Sequence, residues 1–144
     1  MQFDFTENEL KMERFWVSQA ALIIRDNKIL ILKVAENSNW VFPGGRADLG
    51  ETREVAFDRE LKEEINIDHY QVSGVIAYDM FYTANRHVPV CVIANLVDIG
   101  DAEIVISSEH SESKWISLSE INDYKFAWPK AKEFIEKAFE MYNK

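Results

Sequence analysis

One cysteine, three prolines, five glycines and three histidines in 144 residues leave little material for several kinds of chemistry. A lone Cys91 permits no internal disulfide and, inside an apolar run, is expected to be buried and inert. His69, His87 and His110 do not fall at metal-ligand spacing, and each is expected as a surface or hydrogen-bonded residue. No tract rich in Pro, Gly or Ser divides the chain, and it has neither an internal repeat nor a low-complexity segment. The acidic start, Met1 to Glu13, has neither the basic n-region nor the apolar h-region of a signal peptide, so a cytoplasmic protein is expected. Positive charge is also scarce. Sixteen Lys and Arg against 25 Asp and Glu give a formal net charge of −9, which argues against binding a nucleic acid polymer or an anionic membrane. Phosphate substrates stay open, provided divalent cations offset an acidic site.

What is present is one domain's worth of apolar sequence, 47% hydrophobic over residues 1–144. Phe3 to Arg14 reads as a short helix or arm. Trp16 to Ile24 and Lys28 to Val34 flank Asp26-Asn27 as a hairpin, and Trp40 to Pro43 leads into a glycine turn. Val72 to Tyr82 and Val88 to Asp98 are β-rich runs joined by polar residues, and Lys114 to Leu118 reads as a last strand. Pro129 at a first helical turn, followed by Ala131, Phe134, Ile135, Ala138 and Tyr142, marks a terminal amphipathic helix. Strands with a central and a terminal helix predict an α+β sandwich around a mixed or antiparallel sheet.

One stretch specifies chemistry. Gly45 is followed after five residues by Glu51, and after seven more by Arg59-Glu60-Leu61-Lys62-Glu63-Glu64-Ile65-Asn66-Ile67. Glu60, Glu63 and Glu64 stand at i, i+3 and i+4 and share a face if the segment is helical. Three carboxylates so close are tolerable only in full solvent or around cations, and hard oxygen donors at that density suit Mg²⁺ or Mn²⁺. Thr52 can cap the helix start, and Asn66 can take the left-handed turn that ends it.

The pattern resembles the Nudix box, GX5EX7REUXEEXGU with U aliphatic, and departs from it only at Asn66, where the family has Gly. A chance match in a chain this long is on the order of 10⁻⁶. The resemblance implies a Nudix-type α/β/α sandwich with a catalytic loop and helix. The implied reaction hydrolyses a diphosphate bond in a nucleoside diphosphate linked to a further group X, by attack of metal-activated water. By position, Glu60 and Glu64 would hold the metal, with Glu63 next and the Gly44 carbonyl contributing, while Glu51 and Arg59 would pair to brace the loop. The family draws its general base from the box or from a downstream loop. Here that means Glu63 or Glu109, with Glu112 as the rival to Glu109. A catalytically silent binding module on the same fold would be expected to have lost box carboxylates, and none is lost.

Substrate selection is less legible. Arg46 could neutralise phosphate, Arg86 and Lys33 are looser candidates, and Phe42, Tyr78, Tyr82, Phe126 and Trp128 could stack on a base or sugar. The oxidised-purine branch of the family carries an asparagine soon after a Phe-Pro pair. Here Phe126 is followed by Ala127-Trp128-Pro129-Lys130. The expected partner is a small nucleoside diphosphate derivative, and an apolar edge strand or the N-terminal arm could support a homodimer.

Overall fold

The computed structural model describes residues 4, 6–10, 15–82 and 89–144. Strands β1 (Trp16–Arg25) and β2 (Lys28–Val34) form the expected hairpin. Asp26 and Asn27 at its tip both take positive φ, 51° and 61°, as a two-residue turn matched to strand twist requires. Residues Ala20 to Ile24 of β1 are all buried. Such a run, apolar on both sides, belongs to a strand covered on both faces.

Strands β3 (Trp40–Val41), β2, β1, β6 (Pro89–Asp98) and β5 (Gln71–Tyr82) follow one another across the sheet. β4 (Gly44–Arg46) adds to β1, and β7 (His110–Ile116) adds to β2. β1 and β6 run parallel from the pair Trp16 and Val90 to the pair Ile23 and Val97, while the other pairings are antiparallel. The sheet is therefore mixed. Helix α1 (Glu7–Leu10) precedes it in the chain.

Two apolar clusters lie on opposite faces of the sheet. On one, Phe57, Leu61 and Ile65 of α2 (Arg53–Ile65) pack on Ala21, Ile23, Leu30, Leu32 and Val97. On the other, Phe134, Ile135 and Ala138 of α3 (Ala131–Tyr142) pack on Ala20, Leu22, Ile31, Val92 and Ala94. Alternate residues of β1 face alternate helices, so one strand serves both cores. This is the α+β sandwich expected from the sequence. Among the described residues, no helix is long and apolar enough to cross a membrane.

Four details differ from the sequence reading. The last strand begins at His110, well before Lys114, because the polar residues His110 to Ser113 pair through their backbones with β2. Pro129 precedes the terminal helix, whose N-cap is Lys130, and lies in a turn closed by Ala131 N–H on the Trp128 carbonyl at 3.1 Å. Cys91 is half-buried rather than buried, since its side of β6 is incompletely covered. The short β4 and a 3-10 segment, Leu118–Asp123, have no clear signature in the sequence.

The ends of α2 follow their chemistry. Thr52 Oγ1 accepts the Val55 N–H at 3.3 Å. Asn66 sits at φ 58°, ψ 40° with its N–H on the Lys62 carbonyl at 3.1 Å. Because both Asn and Gly tolerate this conformation, Asn66→Gly is expected to change stability by only tenths of a kcal/mol. The β-branched Asn66→Val is expected to cost about 1–2 kcal/mol. Urea denaturation of both variants checks the pair.

Candidate active site

A carboxylate and a guanidinium lock the loop after β4 onto α2. Arg59 Nε and Nη2 donate to the two oxygens of Glu51 at 2.8 and 2.7 Å, and the Asp48 N–H donates to Glu51 Oε1 at 2.7 Å. Arg59 holds the Glu51 carboxyl down at about 2, well below the usual range. The same guanidinium reaches Glu60 at 2.9 Å, Glu63 at 3.4 Å and the Arg46 carbonyl at 3.2 Å. The planar fork of Arg suits such multiple contacts.

Two glycines set how closely this loop approaches. Gly44 adopts φ +131°, and a Cβ there would lie 2.0 Å from the Gln19 carbonyl oxygen, so only glycine fits. A Cβ on Gly45 would lie 2.5–2.7 Å from the Glu60 carboxylate atoms. The loop thus exposes bare backbone to the carboxylates. Gly44 N–H donates to Glu64 Oε2 at 2.8 Å. Glu64 is only 9% exposed, and burial, with the charges of Glu60, Glu109 and Glu63 added, pushes its carboxyl up to about 8. Burial likewise raises Glu60.

The segment before β7 reaches the same place. Val105 N–H and Ser107 N–H donate to the carbonyls of Ile65 and Glu64 at 3.2 and 3.1 Å, fastening this segment to the end of α2. Glu109 follows close behind and lines a cavity of about 940 Å³ together with Glu64, Gly44 and Gly45. Its other walls include Trp40, Phe42, Phe81, Val92 and Trp128. Trp128 lies edge-on to Phe42 and Phe134, and its Nε1 donates to Asp79 Oδ2 at 3.3 Å. Lys130 stands 3.7 Å from the other Asp79 oxygen. With its one donor committed behind the wall, the indole presents hydrocarbon to the cavity.

The structure thus brings together Gly44, Glu51, Arg59, Glu60, Glu63, Glu64 and Glu109. Glu112 stands apart on β7, between Lys33 at 3.9 Å and Lys114 at 3.5 Å, so Lys33 is likewise turned from the cavity. Phe42 is a cavity wall. Arg46 lies with its guanidinium 4.4 Å from the centre of the Trp16 ring and does not line the cavity. Tyr78 and Tyr82 are exposed and do not line it either. Phe126 stacks on Phe42 with ring centroids 5.9 Å apart. Arg86 and His87 fall outside the described residues.

His110 does not lie at the surface. It is buried, lines the cavity, and its Nδ1 has no hydrogen-bond partner, so it is neither a surface residue nor bonded through that atom. The cause is the early start of β7, which carries the ring inward. Trp40, Phe81, Gln19 and Asp79 were missed by sequence reasoning. Gln19 stood out only as a polar residue inside an apolar run, and its Nε2 donates to the Arg53 carbonyl at 3.0 Å. Asp79 stood out as the one charge in the β-rich run Gln71–Tyr82.

A divalent cation fits the chemistry of this donor set. Glu64 is buried among like charges, and its hydrogen bond comes from a backbone N–H rather than a cationic side chain. As the side chains stand, Arg59 holds Glu60 and Glu63, and among the described residues no three carboxylates already converge as a finished cage.

The Glu64 carboxyl also links stability to pH. Its folded value of about 8 lies above the ordinary 4.5, so between these limits the folded chain keeps a proton that the unfolded chain has released. In chelator, this group therefore favours folding most at low pH, and its contribution declines as pH rises toward about 8. Urea midpoints from about pH 5 to about pH 8 should fall more steeply for wild type than for Glu64→Gln, which lacks the titrating group. Equal slopes would contradict the burial of this carboxyl.

Comparison with known proteins agrees with this geometry. The family model described as NUDIX domain matches residues 15–138. A "MutT-like protein" of Streptomyces ambofaciens is 29% identical over 110 residues, which are 74% of this chain and 67% of that protein. Among solved structures, the E. coli ORF135 protein superposes with a TM-score of 0.73 at 25% identity, covering 90% of this chain and 92% of its own. The MutT protein of Methanosarcina mazei superposes with a TM-score of 0.74 at 25% identity, covering 92% and 98%. With the family match extending over most of its length and the sandwich shared with these structures, the chain belongs to the Nudix family.

Proposed function

We propose that this chain hydrolyses a diphosphate bond in a nucleoside diphosphate linked to a further group, in a reaction that depends on Mg²⁺ or Mn²⁺. The observation that carries the reading is the gathering of Glu60, Glu63, Glu64 and Glu109 beside an aromatic-walled cavity. Glu60 and Glu64 are the principal metal ligands in this reading, with Glu63 and the Gly44 carbonyl as further donors. A bound divalent ion would lower the pKa of the attacking water and offset charge on the phosphate oxygens.

The protein's own groups have separate tasks. A Glu109 carboxylate oxygen takes the proton as the water oxygen attacks phosphorus and the bridging P–O bond breaks. Its loop is fastened to the Glu64 and Ile65 carbonyls, so base and ligand keep a fixed relation. Arg59 and Glu51 hold the glycine loop against α2 and orient the carboxylates, as groups behind a reacting centre must. Phe42, Phe81 and Trp128 give the nucleoside or the X group an apolar slot that excludes water. Arg46 and Arg86 are the candidate phosphate contacts. Arg46 would have to leave the Trp16 ring to serve.

The test is product analysis of hydrolysis with and without Mg²⁺ over nucleoside triphosphates, nucleotide sugars, ADP-ribose and dinucleoside polyphosphates. Turnover releasing a nucleoside monophosphate is expected for one class. On that substrate, Glu63→Gln and Glu64→Gln should each lower kcat by on the order of 10² or more with the fold intact by circular dichroism. Glu109→Gln should lower it by roughly 10²–10⁴. Values within about threefold of wild type for both box variants would overturn the assignment. Metal and ligand binding without turnover would instead mark a silent binding module.

A further inference from the structure

We infer that the bare face at the β5–β6 end of the sheet is the contact surface between two copies of this chain. α2 packs over β1, β2 and the end of β6, and α3 covers the opposite face. On the α2 side, β5 is exposed at Val75, Tyr78 and Met80, while Cys91 and Ile93 of β6 are half-buried and Gln19 and Asn95 are buried. Strand register places Val17, Cys91 and Met80 in one row across that side and Gln19, Ile93 and Tyr78 in the next, with Val75 opposite Asn95 farther along. Val17 is 42% exposed, Val75 55%, Tyr78 68% and Met80 58%. None of these residues is charged.

The outer edge of β5 is the second observation. The strand is 12 residues long and ends the sheet, and among the described residues no other strand pairs with that edge. Edge strands are ordinarily blunted by Lys, Pro, bulges or inward charge. β5 has irregular register near Val72 to Ala77, yet from Ala77 to Tyr82 it runs regularly and contains neither Lys nor Pro. Its one charge, Asp79, faces the other side and is committed to Trp128 and Lys130.

A second copy suits this surface on charge, and the exposed apolar area supplies part of what a stable contact buries. A chain of net charge −9 meets its own copy with least repulsion through a face that carries no charge. A two-fold axis beside β5 would set two β5 strands antiparallel, extend the sheet through the outer edge from Ala77 to Phe81 and bring the apolar rows together in one isologous contact. Taking about 150–250 Å² for a large side chain, the exposed apolar area is on the order of 400 Å² per copy, roughly half of the ~800 Å² a partner buries in a stable interface. The paired edges and the rim around them would supply the remainder.

Sedimentation velocity and light scattering on the whole chain test this. The expected mass is twice 16.8 kDa. Met80→Lys and Val75→Lys, both at exposed positions away from the carboxylate cluster, should each weaken association by about tenfold or more. A monomer at every concentration up to about 100 μM overturns the inference. A dimer that neither substitution weakens also overturns it, since the contact would then lie elsewhere. Should a variant fail to fold, hydrogen exchange of wild type still decides. Protection of the outward amides between Ala77 and Tyr82 should rise with protein concentration, and protection independent of concentration would mean that the chain covers its own edge.

Discussion

The bidentate pair between Glu51 and Arg59 is the constraint on which the candidate site depends. One guanidinium closes the loop from Arg46 to Glu51 onto α2, touches the further carboxylates of Asp48, Glu60 and Glu63 and takes part in no proton chemistry of its own. Its worth lies in geometry more than in charge energy, because this loop is partly exposed and solvent screens the attraction. Without it, the loop could leave α2, and the close approach of Gly45 to Glu60 would have nothing to hold it.

Around that clamp the molecule separates charge from shape. The carboxylates sit on α2 and on the segment before β7, whereas the cavity walls come from β3, β5, β6 and the chain around Trp128. Burying Glu64 among like charges opposes folding unless the charge is neutralised, so the acidic half contributes strain. The aromatic half contributes packing. Phe42, Phe81, Phe126, Trp128 and Phe134 form a linked set of ring contacts that also fixes the start of α3.

Legibility in the sequence followed the range of the interactions. The α2 caps, the Asp26-Asn27 turn and the carboxylate spacing are local, so residue type and interval were enough to read them. β4 is different. Two of its three residues are glycine, and it becomes a strand only because β1 offers a carbonyl where nothing larger than hydrogen fits. The burial of His110 depends on where β7 joins β2, and the role of Asp79 depends on an indole 49 positions away. Neither is encoded in neighbouring residues. That Glu109 lines the cavity while Glu112 lies between lysines of two strands likewise depends on how β7 joins β2.

The parallel pairing of β1 with β6 has a consequence for how the protein reaches this state. Trp16 and Val90 are adjacent in the sheet, yet the hairpin, the box loop, α2 and β5 all lie between them in the chain. Closing so large a loop costs chain entropy before its contacts return anything, and such topologies fold toward the slow end of the range for small domains. The β1–β2 hairpin and α2 can form from short-range contacts, whereas the cavity needs both sides of the β1–β6 seam. A chain stalled before that seam closes would carry a complete carboxylate motif and no pocket, so the slowest pairing in the sheet would also set when a newly made chain can first bind anything.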